Sequence, residues 1–172
     1  MTSDLIKYVF VDFDGTLRDT ISDPSPDKPN DRRPPMNKSE VVLMDKTVKV
    51  LKELDEVGYQ LIGVTNQSGV EKGLITESQV EIVIAHTLDM MDLYFPVYFA
   101  PYKRTDSDNR LKWRKPDVGM AITAFLDWGS PDLENSLMIG DYKTDKEFAD
   151  NVGIAYYDVN DIDSIEIKPV LI

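Results

Sequence analysis

The chain has 172 residues, 42 % hydrophobic and 29 % charged, the proportions of an ordinary globule with enough length to bury a real core. It contains no cysteine, which excludes disulfides and thiolate metal sites, and its formal net charge of -12 disfavours long polyanions as partners. No apolar run approaches membrane-spanning length and the N-terminal residues carry no signal-like stretch, so one cytoplasmic domain over residues 1–172 is expected.

Leu5 to Val11 is apolar and β-branched and reads as a first strand, ending directly in Asp12-Phe13-Asp14-Gly15-Thr16. Ser22 to Met36 holds Pro24, Pro26, Pro29, Pro34 and Pro35, which suits neither a helix nor a central strand and predicts a long loop. Val41 to Val57 carries Val48, Leu51 and Leu54 on one helical face, and Gly58 stops it. Tyr59 to Val64 is the second strand. Thr76-Glu77-Ser78-Gln79 has the spacing of a capping box and opens a helix through Val80, Val83, Ile84, Leu88 and Met91.

Phe95 to Ala100 is a third strand, followed by a polar and basic loop from Pro101 to Arg114. Pro116 precedes a helix through Met120, Ile122, Ala124 and Phe125. Leu137-Met138-Ile139 is a fourth strand, Thr144 to Asn151 a short helix, and Gly153 to Tyr157 a fifth strand. The tail from Asp158, acidic and then apolar at Pro169-Val170-Leu171-Ile172, has no assigned place. This alternation predicts an α/β fold: a Rossmann-like, doubly wound, mainly parallel five-stranded sheet with helices on both faces.

Open α/β sheets bind ligands beyond the carboxyl ends of their strands, and four polar groups fall at or near such ends. They are Asp12 to Thr16; Thr65-Asn66-Gln67-Ser68-Gly69; Arg114-Lys115-Pro116-Asp117, heading a helix; and Gly140-Asp141, with Asp145 a turn further on. Converged, they would form a pocket of three or four carboxylates with one lysine and several donors. Clustered carboxylates repel unless a hard cation neutralises them, and all-oxygen ligation suits Mg²⁺. An anion would then sit between that ion, Lys115, the Thr65 hydroxyl and backbone N–H groups, and phosphate fits best.

These residues are similar to the four signatures of the haloacid dehalogenase (HAD) superfamily of phosphohydrolases, in order: Asp12 to Thr16, Thr65, Lys115, and Gly140-Asp141 with Asp145. Thr-Asn-Gln-Ser-Gly and Arg-Lys-Pro resemble, more narrowly, the subfamily IIIA branch of histidinol-phosphatases, heptose bisphosphate phosphatases and polynucleotide 3'-phosphatases. The resemblance implies Asp12 as nucleophile forming an aspartyl-phosphate, and Asp14 as general acid and then base. It implies Mg²⁺ on the Asp12 carboxylate, the Asp14 carbonyl and Asp141, with Thr65 and Lys115 gripping the phosphoryl oxygens. Thr16, Asn66 and Arg114 are expected to contact substrate, and Asp145 to orient Lys115 or a metal-bound water.

Two departures matter. Relatives carry Cys and His zinc ligands before Arg-Lys-Pro, whereas Ala100 to Trp113 has neither, so no zinc is predicted. Neither interval between signatures holds a folded cap, so the site should be open, with loops 22–36 and 101–114 over it. The leading expectation is a monomer or small homo-oligomer that hydrolyses a small phosphorylated metabolite, a sugar or polyol phosphate. The alternatives are a polynucleotide 3'-phosphatase, favoured by the basic segment Lys103, Arg104, Arg110, Lys112, Arg114 and Lys115, and a non-catalytic binding module. Trp113, Trp128, Met90 and Met91 read as packing residues and His86 as structural or surface, with Trp113 also placed to border the pocket.

Overall fold

The computed structural model describes residues 4–103 and 112–167. Strands β1 (Tyr8–Val11), β4 (Gln60–Asn66), β5 (Val97–Ala100), β6 (Leu137–Gly140) and β7 (Ala155–Asp158) form one sheet in the order β5-β4-β1-β6-β7. Every adjacent pair is parallel. Helices α1 (Asp45–Glu56), α2 (Glu77–Met91), α3 (Gly119–Trp128) and α4 (Lys143–Val152) make the crossovers.

All four residues of β1 are fully buried, and their alternation sorts two cores. Val9 and Val11 face one side with Leu51 and Leu54 of α1 and Val80 and Ile84 of α2. Tyr8 and Phe10 face the other with Met120 and Ala124 of α3 and Phe148 and Ala149 of α4. A strand covered on both faces is apolar almost throughout, and the one side-chain polar group of Tyr8-Val9-Phe10-Val11, the Tyr8 hydroxyl, is satisfied by donating to Gly129 O at 2.7 Å. The chain winds from β1 outward to β5, then returns past β1 to β6. The strand order therefore reverses beside β1, opening a crevice at the carboxyl ends of β1 and β6.

Two expectations are corrected. The helix expected from Val41 begins at Asp45, because Val42 and Leu43 are held against Leu17 to Asp19, the residues that follow the first signature. Asp19 N–H donates to Val42 O, Met44 N–H donates to Leu17 O, and Leu43 bridges Arg18. The Pro-rich segment is not wholly irregular: β2 (Ile21–Ser22) pairs antiparallel with β3 (Arg32–Arg33). Its prolines sit where they cost no ladder bond. Pro26 occupies a tight turn closed by reciprocal bonds between Ser25 and Lys28, and Pro34 follows the last paired residue.

The capping box at Thr76 and Gln79 forms as its spacing predicts. Among the side chains read as packing or structural, Met91 is buried and His86 half-buried on α2, but Met90 and Trp128 are largely exposed. Arg104, Arg110 and the tail Pro169 to Ile172 lie outside the described residues. No folded unit sits between the signatures among the described residues, and none of their helices is long and apolar enough to cross a membrane.

Candidate active site

Asp12 follows β1 directly, its N–H continuing the ladder to Ile139 O, and the chain then folds back in a tight turn. Phe13 O accepts from the N–H groups of Thr16, Leu17 and Arg18, while Gly15 takes φ +81°. A Cβ at Gly15 would come within 2.2 Å of Asp141 Oδ2, so glycine is required twice here, by conformation and by space. Gly140 is held to the same type: a Cβ there would meet the Asp145 side chain at 2.4 Å. These two glycines let the β1 and β6 ends and the first turn of α4 approach one another.

Lys115 is the centre of charge in the crevice. It is 2 % exposed, and its Nζ donates to Asp12 Oδ1 at 2.8 Å and Asp145 Oδ1 at 2.6 Å. Burial works against the ammonium, but the two carboxylates outweigh it and hold Lys115 above the ordinary lysine range. Asp145 is equally buried, and its second oxygen accepts from the N–H groups of Asp141 and Tyr142. Asp145 thus ties Lys115 to the start of α4.

Burial pushes the Asp12 carboxyl well above its usual range; Lys115 opposes this, while Asp145 and Asp14 add to it. Asp141 is also raised, by burial first and then by Asp145. Oxygens of Asp12, Asp141 and Asp145 lie within 4.8 Å of one another. With Asp145 already occupied by Lys115 and two N–H donors, Asp12 and Asp141 remain to face a cation. This all-oxygen donor set fits a hard divalent ion, whose charge would favour the ionised carboxylates.

Asp14 is clamped from both sides. Its Oδ1 accepts from Arg18 Nε at 2.8 Å and its Oδ2 from Gln67 Nε2 at 2.7 Å. Gln67 Nε2 also donates to Thr65 Oγ1 at 2.9 Å. A hydroxyl that accepts keeps its own proton to donate, so Thr65 can still bind an anion. Asp12, Asp14, Thr65, Lys115 and Asp141 line one cavity of about 220 Å³, together with Arg114, Pro34, Tyr142 and Thr144.

Two of the residues expected on substrate are engaged with protein instead. Thr16 is fully buried and its hydroxyl donates to Asp141 Oδ1 at 3.2 Å, so it orients that carboxylate. Asn66 borders the cavity, but its amide donates to Lys115 O at 3.0 Å and accepts from Lys115 N–H at 3.1 Å. It docks the Lys115 backbone onto the end of β4. Arg114 does line the cavity while Nη1 donates to Tyr102 O at 2.8 Å. Trp113 turns away, donating from Nε1 to Phe99 O and packing edge-on to Tyr98.

Sequence reading passed over two side chains of this site. Gln67 stands inside a quoted signature, at the i+2 position that returns to the Thr65 side of the strand. Arg18 belongs to no signature, and its spacing of four from Asp14 is the one local signal that points to it.

The profile of the polynucleotide kinase 3 phosphatase family matches residues 7–162. The chain is 31 % identical over 157 residues to the Probable D-glycero-D-manno-heptose-1,7-bisphosphate 7-phosphatase of Thermoplasma acidophilum, covering 88 % of both chains. It is 29 % identical over 156 residues to the protein of the same name from Thermoplasma volcanium, covering 88 % of this chain and 97 % of that one. Among solved structures, the D,D-heptose 1,7-bisphosphate phosphatase of B. bronchiseptica, complexed with magnesium and phosphate, superposes with TM-score 0.68. That alignment has 20 % identity and covers 88 % of this chain and 79 % of that chain.

Proposed function

We infer the function from one premise: the chain belongs to the polynucleotide kinase 3 phosphatase family, within the HAD superfamily. It is a phosphatase. Its substrate, in our reading, is a small phosphorylated metabolite of the sugar or polyol phosphate class, and its cofactor Mg²⁺.

The observation that carries the reading is the convergence of Asp12, Asp14, Thr65, Lys115 and Asp141 on one cavity beyond the carboxyl ends of three strands. Asp12 attacks phosphorus and becomes an aspartyl-phosphate as the ester P–O bond breaks. Asp14 gives its proton to the leaving oxygen, then takes one from the water that cleaves the intermediate. Lys115 and the Thr65 hydroxyl hold the phosphoryl oxygens, and Asp145 and Asn66 fix Lys115 at its two ends. Mg²⁺, held by the Asp12 and Asp141 carboxylates and the Asp14 carbonyl, would offset the charge of nucleophile and phosphate.

A second cavity, of about 260 Å³, adjoins the first and shares Pro34 and Asn66 with it. Arg32, Arg33 and Lys72 line it beside Asp23 and Asp31, a polar lining suited to a hydroxyl-rich leaving group. The names of the heptose bisphosphate phosphatases support the same class. The net charge of -12 weighs against a nucleic-acid substrate.

A panel of phosphorylated metabolites and 3'-phosphorylated oligonucleotides, assayed with Mg²⁺, tests this. We expect the highest kcat/KM on a sugar or polyol phosphate, with weak salt dependence. A preferred oligonucleotide whose kcat/KM falls steeply with salt would assign the protein to end processing instead.

A further inference from the structure

We propose that Arg18 is a positioning residue for Asp14, clamping its carboxylate in the orientation that proton transfer needs; this rests on the phosphatase reading. Arg18 is the largest side chain that is essentially fully buried among the described residues, at 1 % exposure. A guanidinium is withdrawn from water at high cost unless its fork is used. Here it is used at both ends. Nε donates to Asp14 Oδ1, while Nη1 donates to Thr87 Oγ1 at 3.0 Å, and Thr87 in turn donates to Val83 O on α2. The guanidinium also lies 5.3 Å from the centroid of the Phe13 ring, a side chain of the nucleophile turn.

Arg18 therefore braces the acid against a helix that contributes nothing else to the site. Gln67 holds the other oxygen from the end of β4. Each carboxylate oxygen has two lone pairs, so one donor apiece fixes the plane and leaves room for the proton. That proton passes from Asp14 to the ester oxygen as Asp12 bonds to phosphorus and the ester P–O bond breaks. In the second half-reaction a water oxygen bonds to phosphorus, its proton returns to Asp14, and the P–O bond to Asp12 breaks. A carboxylate free to rotate would be misplaced for both transfers.

The value of Asp14 as an acid depends on the leaving group. An alkoxide needs the proton, whereas p-nitrophenolate leaves with little help, and kcat/KM reports only steps through leaving-group departure. The test compares kcat/KM on an alkyl phosphate and on p-nitrophenyl phosphate for wild type, Arg18→Met, Arg18→Lys and Asp14→Asn, with thermal unfolding as the fold control. We expect Arg18→Met to lose at least about tenfold more on the alkyl ester than on the aryl ester, as Asp14→Asn does. Arg18→Lys should regain part of the difference, and adding Arg18→Met to Asp14→Asn should cost little more. Equal losses on the two esters, or fully additive losses in the double variant, would overturn the proposal. A second readout needs no turnover: the Arg18 Nε–H resonance of the metal-free protein should exchange slowly and shift in Asp14→Asn. Rapid exchange with no shift rejects the clamp, whereas a wild type that hydrolyses neither ester rejects the phosphatase reading.

Discussion

Lys115 Nζ lies 2.8 Å from Asp12 Oδ1, although the two residues are 103 positions apart in sequence. The sheet order makes this contact. It sets β1 between β4 and β6, so that the polar end of each strand opens on the same crevice. The ammonium is bound on its far side by Asp145, which leaves it buried, charged and aimed.

Replacing Lys115 by Met removes the cation from between two buried carboxylates. Breaking a buried ion pair in this way costs about 3–5 kcal/mol. We expect a lower melting temperature in the metal-free protein and a fall in kcat of about 10²–10³, the usual effect of losing one donor to a developing charge. Asp145→Asn should reproduce a smaller part of the kcat loss, since it leaves Lys115 present with one anchor fewer. Thermal melts and steady-state kinetics on the two variants check this.

Gly15→Ala tests how tightly the two halves of the cation site are apposed. Its Cβ would fall 2.2 Å from Asp141 Oδ2 at a φ of +81°. We expect a stability loss above about 1 kcal/mol and weaker Mg²⁺ binding by calorimetry. Asp141→Asn should weaken the same binding without the conformational penalty. If both variants bound Mg²⁺ like wild type, the cation would lie elsewhere.

Glu40 governs how the ribbon over the site responds to acid. Its carboxylate accepts from Arg33 at 2.8 Å through both oxygens and from Met36 N–H at 2.8 Å. The Arg33 hydrogen bonds first, then the Met36 N–H, lower its pKa to about 2. A depressed carboxyl stabilises the fold above its unfolded value and loses that contribution as pH falls toward the folded one. The ribbon contact should therefore persist through mild acid and weaken between about pH 4.5 and 2. A carboxyl ¹³C titration should place the Glu40 midpoint near 2, and Arg33→Met should move it up toward 4.5.

Much of this architecture was legible in the chain. Tyr8 to Val11, with no polar residue between them, announces a strand covered on both faces, and Thr76 with Gln79 announces the start of α2. The positions of the signature residues were readable because carboxyl strand ends are where such sheets bind ligands. What was not readable is where each polar side chain spends its hydrogen bonds. Thr16 and Asn66 look like substrate contacts as residue types, yet one is committed to Asp141 and the other to the Lys115 backbone. Those partners lie 125 and 49 residues away, set by register and packing and not by local pattern. The paired β2–β3 ribbon was hidden for a related reason: five prolines argue against a sheet, but only their placement in turns and beyond the ladder makes two paired residues on each side tolerable.

The most direct test of the account is covalent. Wild-type protein and Asp12→Asn are each mixed with a phosphate ester and Mg²⁺, quenched in acid, digested and mapped by mass spectrometry. The account predicts a phosphoryl group on the peptide at Asp12 in the wild type, with neither label nor turnover in Asp12→Asn. Turnover by Asp12→Asn at the wild-type rate, or a phosphoryl group mapped to another residue, would contradict it.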